Sequence, residues 1–249
     1  MWRTIYIMWL RELKRFIRSK SRILGSLGQP LLFLLAFGYG FGSVYAAAGR
    51  GSYIDFLAPG IIGMSIIFTS IFNGVQVIWD RQFGFLKETL VAPVPRIAIM
   101  FGRTLGGATV ASFQGLIVLA ATMLAGFHPV SWLALPAVYL LMLMTGTLFS
   151  AIGVMVGSLM RDFQGFQLVM NFLVMPLFFL SGALFPLNNV PVVMLWIARF
   201  DPLSYGVDAM RYLLIGAAQF GLMLDIGVLV LVTAVFLALG SYFFSKIEV

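Results

Sequence analysis

Apolar residues in this chain come in one short two-sided stretch and six long ones. In the short stretch, residues 2–18, Trp2, Ile5, Trp9, Leu13 and Phe16 recur at spacings of three and four, which puts them on one helix face. Arg11, Lys14, Arg15 and Arg18 share that spacing and fall on the opposite face. A helix with a basic side and Trp on the other is expected to lie along an anionic membrane surface. A solvated basic helix is the bland alternative. The basic run continues to Arg22, whereas a signal peptide places its charges before its apolar core, so no cleavage is expected.

The long runs cover approximately 23–45, 56–79, 104–127, 132–160, 166–185 and 222–244, each near the roughly 20 apolar residues that cross a bilayer. The fourth is long and is expected to tilt, or to begin outside the bilayer near Pro136. Between 184 and 221 the apolar pattern is broken by Pro186, Pro191, Arg199, Asp201, Pro202, Asp208 and Arg211. Pro30, Pro59, Pro136 and Pro176 fall in or near the runs, where neighbouring helices and hydroxyl groups re-satisfy the freed backbone. Gly102 with Gly106, and Gly153 with Gly157, form two GxxxG pairs. They are read as close-packing positions rather than as gating elements.

Composition turns these runs into membrane spans. The chain has 61% hydrophobic and 10% charged residues, against roughly 25% charged in an average soluble domain. Its mean hydropathy is +1.02. The predicted fold is an all-α membrane protein: six transmembrane helices, an N-terminal amphipathic interfacial helix at 1–22, and a body at 23–249. With no Cys, disulfides and thiolate chemistry are excluded. A single His, His128, excludes histidine-rich metal clusters.

The net charge of +7 would suit nucleic acid, but its distribution decides otherwise. The N-terminal segment, the stretch 80–103, Arg161 and Lys246 hold 13 of the 16 basic residues on one side, and Arg50, Arg199 and Arg211 lie on the other. The positive side is cytoplasmic, which puts both termini inside, the 184–221 segment outside and the charge against lipid. No nucleic-acid role remains.

Chemistry is scarce. No Gly-Lys pair occurs, so the P-loop pattern is absent. Ion-coupled carriers keep ionisable groups deep in the bilayer; here Asp225 falls near a span end, and Asn73, Gln76, Gln114 and Asn171 are the main strongly polar residues within spans. Interhelical hydrogen bonds are the expected role of Asn73 and Gln76, with substrate contact the alternative. His128 stands alone beside Pro129. No catalytic, metal or cofactor site is expected in the chain.

The stretch 80–103 carries Asp80, Arg81, Lys87, Glu88, Arg96 and Arg103 and is expected to sit in water. Phe85, Leu86 and Leu90 share one helical face, and Val91-Ala92-Pro93-Val94-Pro95 ends that helix, because a residue before Pro disfavours the α conformation. A short helix stopped by a rigid turn transmits a push to the adjoining spans. A passive connector is the other reading.

The run Glu88 to Arg96, ETLVAPVPR, resembles the cytosolic loop of ABC-2 type transporter permeases. The later SGALFPLNNVP, Ser181 to Pro191, and FDPLSYGVDAMR, Phe200 to Arg211, resemble the C-terminal signature region of that family. The resemblance covers nearly the whole chain and is nearest to daunorubicin-resistance and nodulation-factor exporter permeases. It implies two such subunits, most simply a homodimer, and two copies of a separate ATP-binding protein holding ATP and Mg. The 80–103 loop would be a coupling helix presenting Arg81, Phe85, Lys87, Glu88, Leu90, Pro93 and Arg96 to that ATPase. The N-terminal helix would be a connecting helix. Residues 184–221, with Pro186, Pro191, Asp201, Tyr205, Asp208 and Arg211, would form an external re-entrant cap in which Asp201, Asp208 and Arg211 pair. Family members commonly carry Arg-Glu-x-Gly at the loop start, where this chain has Arg81-Gln82-Phe83-Gly84. The implied function is ATP-driven export of an amphiphile (a drug, a lipid or a lipid-linked glycan), with a self-contained channel or secondary transporter as the alternative.

Overall fold

The computed structural model describes residues 1–47, 51–86 and 93–246. All regular structure among them is helical: α1 Trp2–Arg18, α2 Lys20–Gly40, α3 Gly42–Ala47, α4 Tyr53–Phe72, α5 Val75–Gln82, α6 Arg96–Leu124, α7 Leu135–Leu159, α8 Phe163–Leu180, α9 Val192–Phe200, α10 Pro202–Ile215 and α11 Leu222–Ser245. Short 3-10 turns sit at Trp132–Ala134 and Leu187–Asn189. Six helical segments are long and apolar enough to cross a bilayer, as the pattern predicts. The second and third differ from expectation at the ends that flank the charged stretch between them. They run over Tyr53–Gln82 and Arg96–Leu124, so Asp80 and Arg103 lie inside helices and not in a loop.

At the centre α4, α6 and α7 pack on one another, with α2 laid on α4, and α11 on α7 and α6. Burial follows this layering. The Tyr53–Gln82 span is 83% buried over its apolar window, the Leu222–Ser245 span only 11%. The outward faces of α2, α8 and α11 therefore need lipid or another protein against them, because exposed apolar area of that size is unfavourable in water.

Small residues set how close the central helices come. A side chain on Gly153 would overlap the Ile71 carbonyl, and one on Gly157 the Gly74 carbonyl, so α7 touches the α4–α5 junction backbone to backbone. The second GxxxG pair does the same elsewhere. Gly102 and Gly106 of α6 lie under Met8 and Glu12 of α1, where a methyl group has no room. Both pairs are packing contacts, as close helix approach through small residues requires. Gln114 adds a polar tie, its amide donating to Ser26 Oγ at 2.6 Å and joining α6 to α2.

The two ends of the bundle differ. At one end the Tyr53 hydroxyl donates to the Leu184 carbonyl at 2.8 Å, and α10 is inserted against α4, α7 and α11 with most of its residues buried. At the other end α5 and the start of α6 meet α1. Residues 83–86 and 93–95, which flank the stretch outside the described residues, lie at that end.

Candidate functional site

Helix α1 has one buried side, turned to α6, although the residues on that side are not all those that the spacing predicts. Its buried residues are Met8, Glu12 and Phe16, while Trp2 is exposed. Trp9 turns inward, its indole N–H donating to Thr109 Oγ1 at 3.0 Å. Lys14 and Arg18 are exposed as expected, but Arg11 and Arg15 are half-buried and turn toward Asp80. The reason lies on the neighbouring helices. Asp80 sits inside α5 and is buried, so its charge requires partners.

Asp80 has three. Arg11 and Arg103 each donate to Asp80 Oδ2, and Arg15 stands 3.8 Å from Oδ1. Arg15 also donates to Gln76 Oε1 and lies 3.7 Å from Glu12. Arg103 is fully buried, so Asp80 and Arg103 offset each other's desolvation and both enter helices. One carboxylate thus fastens α1, α5 and α6 together where the loop departs. Sequence reasoning placed Asp80 and Arg103 in water because it counted charges singly; the pair is neutral only in three dimensions. Asn73 belongs to the same region and donates to the Arg103 carbonyl at 3.3 Å, an interhelical bond of the expected kind.

Residues assigned to the loop separate into three groups. Arg81 donates to the Ser158 carbonyl at 2.8 Å and the Met160 carbonyl at 3.0 Å, satisfying the free carbonyls at the C-terminus of α7. Arg96 opens α6 and donates to the Ser245 carbonyl at 2.6 Å, tying the loop's far side to the end of α11. Phe85 and Pro93 are exposed on the described flanks. Lys87, Glu88 and Leu90 lie outside the described residues.

At the opposite end, Asp201, Asp208 and Arg211 form no ion pair with one another among the described residues; each bonds to backbone instead. Asp201 accepts the Leu203 N–H at 2.8 Å and caps α10. Burial, set against that hydrogen bond, pushes its carboxyl up to about 8. Asp208 accepts from the Gln219 N–H at 2.9 Å and the Phe220 N–H at 2.8 Å, closing the turn after α10. Arg211 donates to the Gly182 carbonyl at 3.0 Å and lies 4.2 Å over the Phe56 ring. Burial draws it down to about 10, with Asp208 opposing, so it stays a cation at neutral pH. The Tyr205 hydroxyl donates to the Arg199 carbonyl at 2.7 Å, and Pro186 lines the cavity beside Arg211. Pro191 precedes α9 and is exposed.

Sequence reasoning missed Glu12 as a buried group and Asp225 as a fully buried carboxylate in the first turn of α11. Glu12 carried a signal, as an acid inside a basic helix. The signal for Asp225 was its place at the head of an apolar run.

These two ends, a charged clamp beside a loop and a capped polar cavity, are built around the segments that the sequence motifs mark. Residues 3–215 match the ABC-2 type transporter family. The chain is 31% identical over 231 residues to nodulation protein J of Rhizobium leguminosarum bv. viciae, covering 92% of this chain and 86% of that one. It is 29% identical over 238 residues to the inner membrane transport permease YadH of Escherichia coli, covering 94% and 92%. A nodulation protein J of Rhizobium meliloti is 28% identical over 232 residues, covering 92% and 85%. With six spans and a match across nearly its whole length, the chain belongs to the ABC-2 type transporter family.

Proposed function

We propose that the protein is the permease subunit of an exporter, with both termini and the 83–95 loop in the cytoplasm of a bacterial inner membrane. A separate ATPase supplies the work, binding ATP and Mg itself; two copies of it meet two permease subunits. The cargo is an amphiphile. One observation carries this reading: Asp80 fastens α1 and α6 to the helix from which the loop departs. A push on the loop is then passed to three helices and not absorbed by a free linker. Arg81 and Arg96 support the same reading, since they tie the loop's two flanks to the ends of α7 and α11. The transport permease among the relatives is named for the inner membrane, which favours that location. A self-contained carrier would need an ionisable group at mid-membrane, and Asp225 sits in a first turn instead.

The test is mild-detergent purification of the tagged chain from its native membrane, with mass spectrometry of what accompanies it. A stoichiometric P-loop ATPase is expected. Glu88→Arg, which reverses a charge at the presumed contact, is expected to reduce that recovery without changing membrane insertion. Recovery of no ATPase under several gentle conditions, ATP analogue included, would sink the proposal. Unchanged recovery with Glu88→Arg would remove that residue from the contact.

A further inference from the structure

Two cavities at the α10 end share a wall. The first, of about 520 Å³, lies over α10 and holds Ser204, Asp208 and Arg211, three positions on one helix face. Asp208 and Arg211 are the charged residues that line it, and both are more than nine-tenths buried. The second, of about 500 Å³, is an aromatic groove formed by Phe37, Phe41, Tyr53 and Phe179 with Val44 and Leu184. Tyr45 and Pro186 line both, so the polar chamber and the apolar groove adjoin. The groove's Phe41, Val44 and Phe179 are exposed, on the flank of the bundle that meets the bilayer.

The polar chamber has unused bonding capacity. Arg211 Nε and the Ser204 hydroxyl are buried and make no hydrogen bond among the described residues. Asp208 Oδ1 accepts one backbone N–H where it has room for two. Phe56 holds the guanidinium plane in place. A purely anionic head would leave Asp208 beside like charge, and a purely cationic one would do the same to Arg211, each with little water to screen it. Spaced one helical turn apart, the two side chains suit a group bearing both signs across a two-carbon bridge.

We propose that this end of the protein binds a zwitterionic phospholipid from the adjoining leaflet, its phosphate at Arg211 and Ser204, its ammonium at Asp208 and its acyl chains in the aromatic groove. The volumes fall in the roughly 300–1,000 Å³ range of ligand sites. The binding needs neither ATPase nor nucleotide, so failure of the exporter reading would leave it standing.

The test uses the full chain in detergent, titrated with dihexanoyl phosphatidylethanolamine and read by native mass spectrometry, without ATPase or nucleotide. Binding at least about tenfold tighter than to dihexanoyl phosphatidylglycerol is expected, since the latter lacks the ammonium. A similar margin is expected over glycerophosphoethanolamine, which lacks the chains. Arg211→Gln is expected to weaken both phospholipids, since each carries the phosphate, and Asp208→Asn to remove the preference. Because Arg211 also holds Gly182, Val44→Asp is the third variant: it places a carboxylate in the groove at an exposed residue. It is expected to weaken the full lipid while leaving glycerophosphoethanolamine unchanged. Equal affinity for the two headgroups, or equal affinity with and without chains, would overturn the proposal.

Discussion

Asp80 is the residue on which the junction of α1, α5 and α6 depends. Removing one partner of a buried ion pair costs about 3–5 kcal/mol, because the remaining charge is left without compensation. Asp80→Ala is therefore expected to lower the thermal unfolding midpoint in detergent sharply. Adding Arg103→Met should recover part of the loss by withdrawing the stranded cation. A single variant that melts with the wild type would mean that water already screens the cluster. Asp201 makes a different prediction, through pH. Its folded carboxyl is held at about 8, above the roughly 3.9 of an unfolded Asp, so the folded state binds the extra proton between those values. Stability from this group is full below about pH 4 and falls as pH rises towards 8. Asp201→Asn keeps a cap acceptor and cannot ionise, so its melting curve should lose that part of the pH dependence and exceed the wild type at pH 8. Parallel pH profiles would remove Asp201 as the source.

At the scale of elements, α1 is placed by what lies beneath it. Gly102 and Gly106 open a shallow track on α6, and α1 lies in it with Met8 and Glu12. Gly106→Val is expected to lift α1 away. The chain has no cysteine, so Trp9→Cys with Thr109→Cys, joined by a short bifunctional thiol reagent that spans the space the indole leaves, gives a clean reporter: the pair should cross-link in the parent and much less in Gly106→Val. Gly25→Val is the control, since nothing lies near its added side chain. Equal cross-linking in all three would mean that α1 docks without the track. The Pro-bounded loop, in contrast, is held from its flanks, through Arg81 to the end of α7 and Arg96 to the end of α11.

For the whole molecule, the buried centre of α4, α6 and α7 and the exposed flanks of α2, α8 and α11 suit a body that moves as a unit while its edges face lipid or another subunit. Arg211→Ala should reduce substrate flux in reconstituted vesicles while ATPase recovery stays normal, because Arg211 lies at the end far from the loop. Normal flux from that variant would make the cap charge incidental to transport.

Much of this was readable in the chain because bilayer crossing is a local demand. Twenty consecutive apolar residues satisfy it without reference to anything else, so six spans, their order and the existence of polar breaks near 80–103 and 184–221 follow from the sequence by itself, though the structure narrows the first to 83–95. The two GxxxG pairs were legible for the same reason, as spacing alone puts small residues on one face. What the tertiary structure decided is where charge goes. Asp80 and Arg103 are 23 residues apart and look like water-seeking groups until two helices bring them together, with Arg11 arriving from a third. Asp208 and Arg211 look like a ready pair and instead bond to backbone groups that folding brings within reach. A charge's partner depends on contacts distant in sequence, and hydrophobic periodicity carries no record of them.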